Sequence, residues 1–210
     1  HKFLFNPEFL SESRAWEDLI RPDRQIVGFT EKSLEAANLV LSLLPKAPFM
    51  SPWGIGTYHQ TRITATEAEI IKYAGNLHFV RKVNWANALA KLSEKLAIDY
   101  ENIRELISAD LRIGPSWLNV SHGNYCGAGG YCFPKDMNAF IAFAETLEKD
   151  AAKKKKINKE HLQILKSGIA VFKAVKTYNE ILIKSQGLLM EDVSKHDKDL
   201  IVQKSKKIRQ

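Results

Sequence analysis

The sequence predicts a mainly α-helical fold, built on one long helix, with the remnant of an α/β domain at the N-terminus. Apolar residues recur at helical spacing for about thirty residues, from 66 to 96. A second helical pattern starts at Cys132, where a glycine-rich stretch ends. Near the N-terminus, the short apolar run at residues 25–29 is typical of a buried strand. We therefore expect a helical domain preceded by a smaller part that contains both helix and strand.

The N-terminal part is predicted to alternate between helix and strand. Asn6 can cap a helix whose first residue is Pro7 and which ends near Leu19. After a turn at residues 21–24 and the strand at 25–29, Thr30 starts a second helix that ends before Pro45. Residues 46–62 follow no period, so they are predicted to be irregular or a short strand.

The rest of the chain is predicted to be helical around one long loop. After the long helix, Asp99 caps a helix that reaches about Ile107. Residues 110–131 are rich in Gly, Asn and Ser, and loops of that length inside a domain tend to be functional. The helix that starts at Cys132 leads to a lysine run and to a helix over residues 159–185, which Gly187 can close. The remaining tail is polar and weakly periodic.

Composition excludes several classes of protein. The 210 residues are 45% hydrophobic, enough for a buried core, and no apolar run approaches the ~18 residues of a membrane span. The net charge of +7 is concentrated in residues 153–156 and 195–209, without interleaved aromatic residues, so we predict no nucleic-acid binding. Two cysteines are too few for a disulfide scaffold, which makes the cytoplasm the expected compartment.

Cys132 is the first candidate for chemistry, because it closes a glycine-rich stretch and opens a helix. The backbone N–H groups and the positive dipole end at a helix start stabilise negative charge, which suits a reactive thiol. Glycines before it let a ligand approach the backbone closely. A buried, inert thiol is the alternative that this segment leaves open.

Two further pairs of residues have the spacing of neighbours on a helix. Lys72 and Asn76 share one face of the long helix, where the lysine could be half-buried and point into a site. The alternative is a solvated lysine beside an exposed asparagine. Glu8 and Glu12 have the same spacing, and paired carboxylates can activate water. Acidic residues in a first helical turn are also common for the helix dipole alone.

A metal site is not predicted. His122, Cys126 and Cys132 are close in sequence, but a structural zinc site needs four ligands, usually with paired Cys-x₂₋₄-Cys spacing. The spacing here is Cys-x₅-Cys, and the sequence offers no obvious fourth ligand. We therefore expect no metal.

Four motifs along the chain resemble, in content and in order, the UDP-glucose/GDP-mannose dehydrogenase family. They are Asn6-Pro7-Glu8-Phe9-Leu10 with Pro22-Asp23-Arg24, Glu67-Ala68-Glu69 with Lys72, Tyr73 and Asn76, Asp110-Leu111-Arg112-Ile113-Gly114, and Gly129-Gly130-Tyr131-Cys132-Phe133-Pro134-Lys135-Asp136. Agreement of four separate motifs in one order is far more specific than any single motif.

The resemblance implies oxidation of the C6 alcohol of a nucleotide sugar to a carboxylate, in two hydride transfers to NAD. Cys132 would hold the intermediate aldehyde as a thiohemiacetal and then as a thioester. Lys72, with Asn76 or water, would stabilise the developing oxyanion. Asp136 would orient the lysine or water, and Glu8 would assist hydrolysis of the thioester. Glu8 and Cys132 would also contact the cofactor.

For the substrate, the resemblance implies binding by Glu12, Arg112, Gly129, Gly130 and Lys135. The glycines would present backbone to the sugar, and Glu12 would support the catalytic carboxylate or the water. Arg112 would reach the nucleotide sugar of the partner subunit. The run Arg112-Ile113-Gly114 looks like the loop of the UDP-glucose branch, and GDP-mannose is the nearest alternative substrate.

The same resemblance implies a division of the chain into domains. Residues 1–62 would end an α/β dinucleotide-binding domain, residues 63–188 would form the helical central domain, and residues 189–210 would be a basic tail. The long helix would form a homodimer that buries Val83, Ala86 and Ala90. No Gly-x-Gly-x-x-Gly loop for NAD occurs in the sequence, so we expect this chain alone to be inactive. A non-catalytic dimerisation module is the alternative from another class.

Overall fold

The structure is a computed structural model that describes residues 1–46, 58–153, 158–194 and 201, with Glu12 and residues 58–62 described for their backbone. It divides into two compact units, His1–Gly75 and Asn76–Gln210. The described residues are mainly helical, which confirms the predicted fold class. Most of the segment predicted to be irregular, and most of the lysine run and the basic tail, lie outside the described residues.

The first unit is a small α/β structure. Its elements are β1 (Leu4–Phe5), a 3₁₀ turn (Glu12–Arg14), α1 (Ala15–Ile20), β2 (Arg24–Phe29), α2 (Leu34–Leu43) and β3 (Tyr58–Thr64). The sheet has the order β1-β2-β3, with β1 antiparallel and β3 parallel to β2. Because two parallel strands need a crossover, α2 makes β2-α2-β3 a βαβ unit. The predicted strand and second helix are confirmed.

The predicted helix from Pro7 to Leu19 is wrong over its first half. Asn6 does not cap it, because its Nδ2 donates to the backbone carbonyl of Ile26 in β2, at 2.7 Å. Pro7 is buried, and regular helix begins only at α1. The asparagine amide thus satisfies a strand carbonyl, and residues 6–11 stay outside any helix.

The second unit is mostly helical. Its elements are α3 (Ala65–Lys95), α4 (Tyr100–Ser108), β4 (Ser121–His122), β5 (Tyr125–Cys126), α5 (Cys132–Lys153), α6 (Lys159–Lys184) and α7 (Met190–Ser194). The first turns of α3 belong to the first unit. The four long helical predictions from residue 66 onwards are therefore confirmed. No helix among the described residues is both long and apolar enough to cross a membrane.

Local capping explains where several helices start and stop. The Asp99 carboxylate accepts a hydrogen bond from the N–H of Glu101 at 2.9 Å, as the sequence predicts for α4. Asn158 caps α6 in the same way, by accepting from the N–H of Glu160 at 2.8 Å. Gly187, at φ 70°, follows the end of α6 in the left-handed conformation expected of a residue that closes a helix.

Three short elements, two strands and a helix, were not predicted. Strands β4 and β5 form a hairpin inside the segment predicted to be a loop, and α7 lies inside the predicted polar tail. Residues of the hairpin, of α6 and of α7 meet Ile201 in a buried cluster of Tyr125, Ile183, Leu188, Val193 and Ile201. This cluster makes Val193 and Ile201 part of the second unit's core.

The predicted dimer contacts on α3 are wrong as named. Val83, Ala86 and Ala90 are 0%, 0% and 7% exposed, so they are buried within this chain. Ala86 and Ala90 pack with Tyr100 of α4. The apolar side chains that α3 leaves exposed are larger, with Trp85 at 42% and Leu92 at 60%. Any second copy of the chain would have to cover these residues instead.

Candidate active site

Cys132 is the first residue of α5, as predicted, and its side chain is exposed. The alternative of a buried, inert thiol is therefore wrong. Both cysteines lie within the described residues, and they form no disulfide with each other. Because Cys132 opens α5, the first turn that it belongs to carries backbone N–H groups that have no acceptor inside the helix. An exposed thiol in this position can act as a nucleophile.

Asp136 lies one turn further along α5 and is buried, with its side chain 3% exposed. Its Oδ2 accepts a hydrogen bond from Asn76 Nδ2 at 2.5 Å, and its Oδ1 is paired with the Lys135 ammonium. Buried carboxylates are stable only when such donors satisfy them. The structure thus joins three predicted site residues, Asn76, Lys135 and Asp136, within the second unit.

Lys72 and Glu8 form an ion pair within the first unit. Lys72 Nζ lies 2.6 Å from Glu8 Oε2 and also donates to the Glu8 carbonyl at 2.6 Å. The lysine side chain is only 19% exposed, whereas that of Glu8 is 55% exposed. The solvated lysine that the spacing alone left open is therefore wrong. Glu12, the second predicted carboxylate, lies in the 3₁₀ turn rather than on a helix shared with Glu8.

The segment around Glu8 is also held by an aromatic contact. The guanidinium of Arg24 lies over the ring of Phe9, with Cζ 3.7 Å from the ring centroid. The N–H of Leu10 donates to Glu8 Oε2 at 3.3 Å. These contacts place the Glu8 carboxylate between a backbone donor and the Lys72 ammonium, which keeps it in one position.

The packing and backbone conformation around residues 129 and 130 explain why both are glycines. A Cβ built on Gly129 would lie 2.1 Å from Tyr125 Oη and 3.0 Å from Val193 Cβ, so only glycine fits there. Gly130 has φ 80°, and its N–H donates to the Val193 carbonyl at 2.9 Å. That N–H is therefore already engaged within the protein, so it is not available to a ligand.

Two side chains that no sequence motif singles out bind this glycine-rich segment. Asn179 and Gln186 each hydrogen-bond both backbone groups of one residue in it, Ala128 and Cys126 respectively. One signal was present, because Asn179 is a polar residue near the buried apolar residue Leu182 of α6. A polar side chain on a buried face needs a partner, and the sequence alone could not name it.

Arg112 lies in a turn after α4 and is exposed, with its side chain at 78%. Its guanidinium forms a bidentate ion pair with the Asp110 carboxylate, in which Nε lies 3.0 Å from Oδ1 and one terminal nitrogen lies 2.6 Å from Oδ2. Hydrogen bonds from the Arg112 side chain and N–H hold the pKa of Asp110 below its ordinary value. Lys82 supports the turn by donating to the Ile113 carbonyl at 2.8 Å.

An aromatic cluster lies beside the start of α5. Trp117, at the left-handed φ of 65°, stacks on Phe79 with ring centroids 5.2 Å apart and meets Phe133 edge-on at 5.2 Å. His122 lies 5.7 Å from the Trp117 ring, and burial lowers its pKa. Within the described ranges, no three His, Cys, Asp or Glu side chains are grouped so as to hold a metal ion.

Comparison with known proteins points to one family. Residues 66–160 match the model of the UDP-glucose/GDP-mannose dehydrogenase family, central domain. A UDP-glucose 6-dehydrogenase of Pseudomonas aeruginosa is 36% identical over 141 residues, which are 67% of this chain and 28% of that protein. A UDP-glucose 6-dehydrogenase of Haloferax volcanii is 37% identical over 140 residues, 66% of this chain and 30% of that protein. The chain thus spans less than a third of the length of these relatives.

A solved structure agrees with the sequence matches. The UDP-glucose dehydrogenase from the hyperthermophilic archaeon Pyrobaculum islandicum superposes with a TM-score of 0.63 at 30% identity, over 86% of this chain and 34% of that one. The matched residues 66–160 include Lys72, Asn76, Arg112, Cys132 and Asp136. Motif order, fold and sequence identity lead to one conclusion: through its central domain, this chain belongs to the UDP-glucose/GDP-mannose dehydrogenase family.

Proposed function

We propose that this chain is the part of an NAD-dependent nucleotide-sugar 6-dehydrogenase that carries the nucleophilic cysteine. The observation that carries the proposal is the exposed thiol of Cys132 at the first residue of α5, one turn before a buried, fully paired Asp136. The family membership supplies the reaction class. UDP-glucose is the proposed substrate, because the relatives quoted above are UDP-glucose dehydrogenases.

The proposed chemistry has four steps. The C6 alcohol loses a hydride and a proton to give an aldehyde. The Cys132 sulfur then adds to the aldehyde carbon, forming a C–S bond and an oxyanion, the thiohemiacetal. Loss of a second hydride gives a thioester. Water finally breaks the C–S bond, releasing the carboxylate and restoring the thiol.

The remaining residues have roles in stabilising charge and in activating water. Lys72 would stabilise the oxyanion, because its largely covered ammonium already binds two oxygen atoms of Glu8. Glu8, which is half exposed, would accept a proton from the attacking water. Asn76 would join Lys72 in this role while its amide holds Asp136 in place. Asp136 would orient the nearby polar groups, and Glu12 would support the catalytic carboxylate or the water.

The nucleotide sugar would be bound by exposed polar groups and by backbone. Arg112 would extend from its exposed turn to the sugar nucleotide held by a partner subunit. Lys135 is 67% exposed while it pairs with Asp136, so its ammonium can also meet a substrate oxygen. Gly129 and Gly130 would present backbone to the sugar ring. GDP-mannose is the alternative substrate to be tested.

NAD, when bound, accepts the two hydrides. The exposed thiol of Cys132 and the half-exposed carboxylate of Glu8 are open to a ligand, which fits their proposed contact with this cofactor. The sequence contains no Gly-x-Gly-x-x-Gly loop, so the dinucleotide phosphates would be held mainly by residues outside this sequence.

A homodimer through α3 is part of the proposal. Trp85, Leu92 and Leu96 are 42%, 60% and 69% exposed, and their spacing of seven and four residues places them on one face of the helix and its C-terminal end. A second copy that packs on this face would bury apolar area that now faces solvent. A non-catalytic dimerisation module would keep this face without needing the thiol.

A chimera tests the enzyme against the dimerisation module. Residues of the Pseudomonas aeruginosa UDP-glucose 6-dehydrogenase that match this chain are replaced by residues 5–143 of this chain, and NADH formation is measured with UDP-glucose and, separately, GDP-mannose. We expect two NADH per UDP-glucose, and at least about a thousandfold loss of turnover in Cys132→Ala. A folded chimera whose turnover does not depend on Cys132 would refute the proposal.

A further inference from the structure

Two side-chain amides hold the segment that leads into Cys132. Asn179 of α6 accepts from the N–H of Ala128 at 2.7 Å and donates to the Ala128 carbonyl at 2.8 Å. Gln186, just after α6, accepts from the N–H of Cys126 at 2.8 Å and donates to the Cys126 carbonyl at 2.9 Å. Each amide thus pairs with both backbone groups of one residue, as a neighbouring strand would.

The pairing is enclosed by protein. Asn179 is 5% and Ala128 is 3% exposed, so water cannot easily replace either partner if the other is removed. A third bond, from Gly130 N–H to the Val193 carbonyl at 2.9 Å, ties the end of the same segment to α7. Residues 126–130 are therefore attached at three points to the corner formed by the end of α6 and by α7.

We infer that Asn179 and Gln186 are positioning residues for the Cys132 nucleophile. The inference rests on the proposed function, and it adds two residues to which that function assigns no role. Cys132 follows Gly130 by only two residues, so the path of residues 126–130 sets the direction in which the chain enters α5. The reactivity of a thiol at a helix start depends on the first-turn N–H groups, which need that turn to stay formed.

Only an amide can fill this role, because the segment offers one donor and one acceptor at each residue. Leucine has the same number and branching of side-chain heavy atoms as asparagine but no polar atom, and aspartate keeps the acceptor but loses the donor. At Asn179 either change leaves the Ala128 carbonyl buried without its donor. The freed segment can then move, and the first turn of α5 with it.

The test measures the rate at which iodoacetamide alkylates Cys132 in this chain at neutral pH, with peptide mapping by mass spectrometry to separate Cys132 from Cys126. We expect Asn179→Leu and Gln186→Leu to slow the alkylation of Cys132 by about fivefold or more. Access does not limit the reaction, because Cys132 is already exposed. Gln186→Glu, which keeps the acceptor for the Cys126 N–H, should give an intermediate rate.

Asn84→Leu is the matched control. Asn84 is as buried as Asn179, at 4%, but its amide donates to the Val80 carbonyl of its own helix, at 3.0 Å. A loss of stability alone should leave alkylation of Cys132 unchanged in this variant. Equal slowing by Asn84→Leu, or unchanged or faster alkylation in the variants at 179 and 186, would overturn the inference.

The test still decides if one variant fails to fold, and it is independent of the proposed function. If Asn179→Leu does not fold, as judged by circular dichroism, Gln186→Leu decides, because Gln186 is only half-buried. Alkylation needs neither NAD nor a sugar, so its outcome is separate from that of the chimera. Unchanged alkylation rates together with a chimera that depends on Cys132 would remove the positioning role and leave the proposed function intact.

Discussion

Gly129→Ala should destabilise the second unit by about 2 kcal/mol, through a steric conflict that the structure defines. The added Cβ would lie 2.1 Å from Tyr125 Oη and 3.0 Å from Val193 Cβ. Both neighbours belong to the buried cluster, so they cannot yield freely, and overpacking of this kind costs up to about 3 kcal/mol. The lower conformational entropy of unfolded alanine offsets about 0.4–1 kcal/mol of that. Gly129 does not have a left-handed φ, so backbone strain adds nothing.

The assay is urea unfolding followed by circular dichroism, with Gly168→Ala as the control. A Cβ on Gly168 meets no atom within 4 Å, and the residue lies inside α6, so alanine there should stabilise by about 0.5–1 kcal/mol. Tyr125→Phe should partly rescue Gly129→Ala, because it removes the oxygen that the Cβ meets first. A loss under about 1 kcal/mol for Gly129→Ala, or the absence of any rescue, would refute the steric explanation.

Three further predictions concern charge, a buried network and assembly. The N–H and hydroxyl of Thr64 lower the pKa of Glu67, so this stabilisation is present above the unfolded value of 4.5 and is lost as pH falls through the folded value. In urea unfolding, the free energy of unfolding of Glu67→Gln should therefore fall less than that of the wild type as the pH drops below 4.5. Asn76→Ala should cost about 1–3 kcal/mol in the same assay, because it removes a donor from buried Asp136, and a neutral effect would contradict the network. Leu92→Glu should shift sedimentation from dimer towards monomer; a wild-type chain that is monomeric at tens of micromolar would count against the α3 interface.

The long elements could be predicted because their signals are repeated many times. Helix α3 carries an apolar period over 31 residues, so errors at single positions cancel. The start of α5 was predicted from the glycine-rich stretch that ends at Cys132, and α4 from one capping residue, Asp99. Strands β4 and β5 have two residues each, too few to show any period. Asn6 resembled a cap in sequence, but its partner is a strand carbonyl twenty residues away.

In the candidate site, too, residues with a local sequence signal could be predicted and long-range contacts could not. Cys132 and Asp136 are recognisable because their motif is continuous in the sequence and their helix places them one turn apart. The ion pair and the burial of the Lys72 side chain could not be predicted, since its partner is Glu8, 64 residues earlier. Asn179 likewise acts across 51 residues, on a backbone that carries no sequence signal of its own. Pairings of that range arise from the packed fold and cannot be read from local pattern.

Because amide side chains hold residues 126–128, loss of a single amide group by deamidation would damage the protein at one place. Asparagine and glutamine are among the residues that heat degrades first, by hydrolysis to the acids. Deamidated Asn179 would turn a carboxylate towards the Ala128 carbonyl where a donor now stands. A stored sample would then lose order next to Cys132 while most of its helices stay intact. Far-ultraviolet circular dichroism would miss this damage, whereas a mass change of about one dalton in the peptide that carries Asn179 would reveal it.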